Sequence, residues 1–143
     1  MRLYPPLVAI SRQAIGPDEL AGHRIRKGAM VVIAPYVLHR HRRLWDRPDV
    51  FDPNRFLREA RERIYRYAYL SFGAGPRNCI GYAFALQEAT LVVSTILRNF
   101  QLEMLPGHSV WPVHRVTLRP DGGLPMIVRD RAVRPRDRAY AVS

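Results

Sequence analysis

The stretch Phe72-Gly73-Ala74-Gly75-Pro76-Arg77-Asn78-Cys79-Ile80-Gly81 decides how this chain reads. It sets the single cysteine of 143 residues at the end of a glycine-containing loop and at the start of a helical pattern. A helix N-terminus presents unpaired N–H groups and a partial positive charge, both of which favour a thiolate over a thiol. Gly73, Gly75 and Gly81 allow turn geometries closed to other residues and a close approach of the backbone to a flat ligand. Arg77, two residues before the cysteine, offers a permanent charge that a ligand carboxylate can pair with. A lone cysteine makes no internal disulfide, so Cys79 is a buried structural thiol, a reactive thiol or a metal ligand. Its solitude fits a reducing compartment, and a cytoplasmic location is expected.

Outward from the loop, residues 81–98 predict the best helix of the chain. Ala85, Ala89, Val92 and Ile96 form one apolar stripe, with Phe84, Leu91 and Thr95 beside it, so a wide buried face is expected. Arg98 near the end suits the helix dipole. Beyond Pro106-Gly107 the pattern predicts a hairpin: Val116 and Leu118 alternate with polar residues, Asp121-Gly122-Gly123 turns, and Leu124, Met126 and Val128 alternate back. Before the loop, residues 57–69 are rich in arginine and tyrosine without a period, and read as irregular and surface-facing. Residues 46–53, with Pro48, Pro53 and three aspartates, read as loop. Residues 36–45 read as a short helix or an irregular segment. In residues 22–38, His23 to Ile25 leads through a tight reversal at Lys27-Gly28 into a β-branched strand at Met30 to Ile33. Pro5 and Pro6 end any helix entering from before Met1.

Apolar residues make up 48% of the sequence, enough for a core, so a folded chain is expected. No stretch approaches the roughly 18 apolar residues that a membrane span needs, and no signal peptide is apparent. The net charge is +11 and the pI near 11.0, which favours acidic partners. Part of that charge crowds into residues 130–143 and just before them (Arg129, Arg131, Arg134, Arg136, Arg138), where a frayed basic tail is expected. His39 and His41 have no accompanying ligand cluster, and read as structural or surface residues rather than metal or RNA ligands.

The loop resembles the haem-binding signature of cytochromes P450, Phe-x-x-Gly-x-x-x-Cys-x-Gly, at Phe72, Gly75, Cys79 and Gly81, with Arg77 at the arginine's usual place. The resemblance extends outward. Arg2 to Pro6 looks like the end of the family's K helix; Arg2 would be the arginine of its Glu-x-x-Arg motif, with the glutamate two places before Met1. Tyr36 to His41 resembles the Ala-x-x-x-His-Arg region. Asp52 to Phe56 resembles the Pro-x-Arg-Phe segment, in which Arg55 completes a Glu/Arg/Arg cluster. Phe84 to Thr90 resembles the start of helix L, and Thr117 to Met126 the C-terminal hairpin of bacterial members.

This resemblance implies a mixed α and β chain: the C-terminal portion of a mainly α fold, incomplete as a domain. It would comprise the end of the K helix, small sheets, a meander, the cysteine-ligand loop, the L helix and a hairpin, with residues 1–143 part of one domain. It implies haem b (iron protoporphyrin IX) as cofactor and Cys79 as the iron ligand. Arg77 and Arg12 would hold propionates, and Phe72, Gly73, Gly75 and Gly81 would shape the ligand loop. The implied activity is insertion of one oxygen atom of O₂ into a small organic substrate with external electrons. An acidic ferredoxin or flavodoxin-type donor would meet Arg58, Arg61, Arg63 and Arg66. The family's distal helix and most of its pocket have no counterpart in these residues, so no turnover is expected of the chain alone. Without the glutamate, Arg2 and Arg55 are expected to face each other as like charges and weaken the region. Two alternatives remain: a remnant without catalysis, and a nucleic-acid-binding protein, which the charge alone motivates and which is not the expected partner class.

Overall fold

The computed structural model describes residues 1–131. By internal contacts the chain divides into two compact units: Met1–Cys79 with Pro112–Arg119, and Ile80–Trp111 with the residues from Pro120 on.

In the first unit, strand β1 (Ile10–Gln13) pairs antiparallel with β4 (Met30–Ile33), Ile10 opposite Ile33 and Gln13 opposite Met30. Between them β2 (Asp18–Leu20) and β3 (His23–Ile25) form their own hairpin. Its two-residue turn, Ala21-Gly22, has both φ values positive (49° and 80°), the geometry that matches strand twist. The reversal at Lys27-Gly28 is present, with Gly28 at φ 82° and Ala29 N–H donating to the Arg26 carbonyl at 3.0 Å. The strand it feeds, however, returns beside β1 and not beside β3.

A short helix, α1 (Pro35–Leu38), follows with proline in its first turn, where a missing N–H costs nothing. Residues 57–69 are less irregular than their composition predicts: Arg58–Glu62 is one helical turn and a half, α2, with Glu59 in its first turn and Arg61 in its last, each suited to the helix dipole. The core of this unit is small and partly polar. Trp45, Ala68 and Leu70 are buried together with Arg2, His39 and Ser71. Rings link it: His39 stacks on Tyr69 (5.2 Å), Tyr69 meets Phe56 (5.0 Å), and Phe56 meets Trp45 (6.3 Å).

The second unit holds the long helix α3 (Tyr82–Asn99), capped by Gly81 and running directly into strand β5 (Phe100–Met104). The expected wide buried face is not found: no residue of α3 is buried. The expected hairpin is also corrected. Strand β7 (Leu118–Pro120) pairs with β6 (Pro112–His114), which belongs to the first unit, while in the second unit β8 (Met126–Asp130) pairs with β5, Phe100 opposite Asp130 and Met104 opposite Met126. The physical reason lies in the donors. β7 is three residues long and ends in a proline without an N–H, whereas β5 offers β8 five residues in register. Asp130 closes β8 and Arg131 N–H donates to the Asn99 carbonyl, so the expected tail at 130–143 falls, from residue 132 on, outside the described residues. No described helix is long and apolar enough to cross a membrane.

Candidate functional site

Cys79 closes a backbone-held loop. Leu70 C=O accepts from Gly73 N–H (3.1 Å), Gly75 C=O accepts from Asn78 N–H (3.0 Å), and Phe72 C=O accepts from Cys79 N–H (3.0 Å). The last bond ties the cysteine to the residue where the loop begins. Gly75–Arg77 forms one 3-10 turn inside it, with Pro76 fixing φ. Gly73 and Gly75 take positive φ (80° and 70°), which an L side chain rarely adopts. Gly81 does not; at φ −90° it caps α3 in a conformation open to other residues.

The thiol of Cys79 is free and exposed, as is the Arg77 side chain. A Cβ built on Gly75 or Gly81 would meet nothing within 4 Å, so open space adjoins both. Among the described residues no group of three or more His, Cys, Asp or Glu could hold a bare metal ion. A single sulfur suits an iron that arrives already chelated in its own macrocycle. The residues present therefore fit a flat, sulfur-ligated group. Phe72 is half-buried at the mouth of the loop.

Arg12 is exposed on β1, its guanidinium donating to the Ser11 carbonyl at 2.8 Å. Ile10, two residues earlier, points to the same strand face. Its Cδ1 lies 3.9 Å from where a Cβ of Gly73 would stand. The face of β1 that carries Arg12 thus borders the cysteine loop. Arg58, Arg61, Arg63 and Arg66 are all exposed, and Arg66 lies over the Tyr67 ring at 5.2 Å.

Arg2 is buried and gripped by three carbonyls: Nη1 donates to His39 O (2.7 Å) and Pro48 O (2.6 Å), Nη2 to Val50 O (2.9 Å). It also lies over the Trp45 ring at 5.0 Å. Burial, then the Arg55 and Arg40 charges, push its pKa down, so the expected like-charge opposition is present. Asp49 and Asp52 offset it in part. Arg55 donates to the Arg47 carbonyl (3.1 Å) and stands 3.9 Å from Asp52, but its Nε is buried without a hydrogen-bond partner among the described residues.

The residue whose importance the sequence understates is His39, fully buried. Its Nε2 accepts from Leu70 N–H at 2.8 Å, which leaves Nδ1 to carry the proton, 3.0 Å from the Arg2 carbonyl. Burial pushes its pKa down to about 4, helped by the Arg2 and Arg40 charges and opposed by the bond to the Arg2 backbone. His39 is structural, as expected. His41, by contrast, is exposed at the surface.

Comparison with known proteins gives one answer. The sequence profile of the family described as "Cytochrome P450" matches residues 1–124. The chain is 40% identical over 131 residues to cyclooctatin synthase of Streptomyces melanosporofaciens, covering 92% of this chain and 28% of that protein. It is 39% identical over 125 residues to human cytochrome P450 4V2, covering 87% of this chain and 24% of that one. The crystal structure of the cytochrome P450DA heme domain superposes with a TM-score of 0.85 at 34% identity, over 95% of this chain and 30% of that chain. The chain thus spans less than a third of the length of these relatives.

Proposed function

The chain belongs to the cytochrome P450 family, a family of haem-dependent monooxygenases, and from that we propose that Cys79 would hold the iron of a haem b as its thiolate ligand. The observation that carries this is the exposed, unpaired Cys79 thiol at the end of a loop closed by Cys79 N–H on Phe72 O. In the whole protein the activity is insertion of one oxygen atom of O₂ into a small organic substrate. When bound, the haem iron supplies the oxygen activation, with the sulfur behind it donating electron density that favours O–O cleavage, as established for this family's thiolates.

The chain's own residues hold and orient. Gly73 keeps a side chain out of the packed interior of the loop, and Gly75 leaves its open side clear for a planar group to approach. Arg77 binds one propionate. Arg12 takes the other, supported by the closeness of its strand to Gly73. Phe72 packs beside the loop and limits water at the sulfur. By sequence, residues 1–6 resemble the end of the K helix, although they form no helical turn here, 57–69 the meander, α3 the L helix, and the segment after Thr117 the C-terminal strands. The exposed arginines 58, 61, 63 and 66 receive an acidic ferredoxin or flavodoxin-type donor in the cytoplasm. The 143 residues alone do not turn over substrate, a reading supported by the apolar, unburied α3 and by the 28% coverage of relatives.

The test is reconstitution with haem, followed by the absorption spectrum of the reduced, CO-bound protein. A strongly red-shifted Soret band that disappears in Cys79→Ala is expected. A band unchanged by that substitution would overturn the assignment.

A further inference from the structure

We propose that His39 is a positioning residue for the Cys79 loop, holding the loop's base through the Leu70 amide. This rests on the reading of Cys79 as the iron ligand and names what sets its place. Hydrogen bonds joined through the Leu70 backbone and the Phe72–Gly73 peptide lead from one to the other. His39 Nε2 accepts from Leu70 N–H (2.8 Å), Leu70 C=O accepts from Gly73 N–H (3.1 Å), and Phe72 C=O accepts from Cys79 N–H (3.0 Å). The peptide that His39 grips, Tyr69–Leu70, lies two residues ahead of Phe72, and Leu70 and the Ser71 that follows it are buried.

His39 is itself gripped from the other side. Nδ1 donates to the Arg2 carbonyl (3.0 Å), Arg2 Nη1 donates back to the His39 carbonyl (2.7 Å), and the ring stacks on Tyr69 (5.2 Å). Its backbone N–H caps α1 through the Pro35 carbonyl at 2.8 Å. His39 therefore ties the N-terminal arm and the root of the cysteine loop through its imidazole, and α1 through its backbone, at one buried point. No aliphatic side chain of the same size accepts a hydrogen bond there, and an unpaired buried amide is costly. The ring works in one tautomer only, because Leu70 supplies a donor and Arg2 an acceptor.

The two ring nitrogens can be separated by substitution. His39→Gln places an amide oxygen near the Nε2 position and can keep the Leu70 bond while losing the Arg2 bond. His39→Asn places a donor near the Nδ1 position and keeps the Arg2 bond while losing the Leu70 bond. Both are read in the full chain by amide hydrogen exchange and by the rate at which a thiol reagent modifies Cys79. In His39→Asn, exchange at Leu70, Gly73 and Cys79 should rise by about tenfold or more, the loss expected for one buried hydrogen bond. The Cys79 modification rate should change with it. In His39→Gln these three amides should stay close to the unsubstituted chain. Equal loosening in both variants, or no change in His39→Asn, overturns the proposal. Should neither variant fold, exchange in the unsubstituted chain under rising denaturant decides. Leu70, Gly73 and Cys79 opening together supports the proposal, and Cys79 opening independently of Leu70 overturns it. None of these readouts involves haem, so a failure of ligation, seen in the spectrum of the unsubstituted chain, is distinguishable from a failure of positioning.

Discussion

At the scale of single residues, the sharpest consequence is the acid response of His39. Its folded pKa lies near 4, below the ordinary 6.5 of an accessible imidazole. The neutral ring is the form that accepts from Leu70, and protonation would set a donor against a donor while adding a charge beside Arg2 and Arg40. Above pH 6.5 neither folded nor unfolded chain binds the proton, and the stabilisation is whole. Between 6.5 and 4 only the unfolded chain takes it up, so stability falls as pH falls, by roughly 1.4 kcal/mol per pH unit and about 3 kcal/mol in all. Below about 4 the folded form protonates too and the slope from this group ends. Urea unfolding between pH 7 and 4 should therefore show a loss of stability that His39→Gln largely removes. An identical pH slope in the two proteins would contradict the assignment. The same scale shows why the cysteine loop was legible from sequence and its anchor was not. Glycine, proline and cysteine act on their immediate neighbours, so Gly73, Gly75 and Cys79 announce a loop by themselves. The amide that His39 grips lies 31 residues away, and nothing local to either residue names the other.

At the scale of elements, β3, β4 and β8 fall where β-branched runs and turn glycines put them, but two of the four strand pairings do not follow chain order. β4 returns to β1 and β8 to β5, each passing over the strand nearest in sequence. Pairing is decided by ladder length and by which N–H groups are available, quantities that periodicity does not carry. β5 escaped notice for a related reason: α3 runs into it at Phe100 with no glycine or proline between. The helix α3 itself was correctly foreseen in extent, and its apolar stripe is real, yet no residue of it is buried. Glu88 and Arg98 are its only charged residues, and Phe84, Leu91 and Val93 are more than half exposed. A helix apolar around most of its circumference is built for the interior of a larger body. In water alone such a surface drives self-association. The isolated chain should therefore form concentration-dependent oligomers in sedimentation velocity, and Leu91→Glu with Val93→Glu should shift it toward monomer. The Leu70 and Cys79 amides, which lie in the other unit, should keep their protection in that variant. A chain that sediments as a monomer at every concentration would refute this account of α3.

At the scale of the whole molecule, the excess positive charge is what remains to be explained. A net charge of +11 attracts any polyanion, so affinity for an acidic protein is by itself no evidence for a docking face. What distinguishes a face is that charge placed there matters more than the same charge placed elsewhere. Arg61 on α2 and Arg63 beside it are exposed and precede the cysteine loop; Arg24 on β3 and Arg26 beyond it are equally exposed. Converting either pair to glutamate changes the net charge equally. If an electron donor approaches across α2, Arg61→Glu with Arg63→Glu should slow association of an acidic ferredoxin with the haem-loaded chain by about tenfold at low salt and flatten its dependence on ionic strength. Arg24→Glu with Arg26→Glu should produce only the smaller, uniform loss that net charge dictates. Stopped-flow association rates across a salt series separate the two. Equal slowing by both pairs would mean that the molecule attracts its partners as a diffuse cation, with no preferred approach to the cysteine loop.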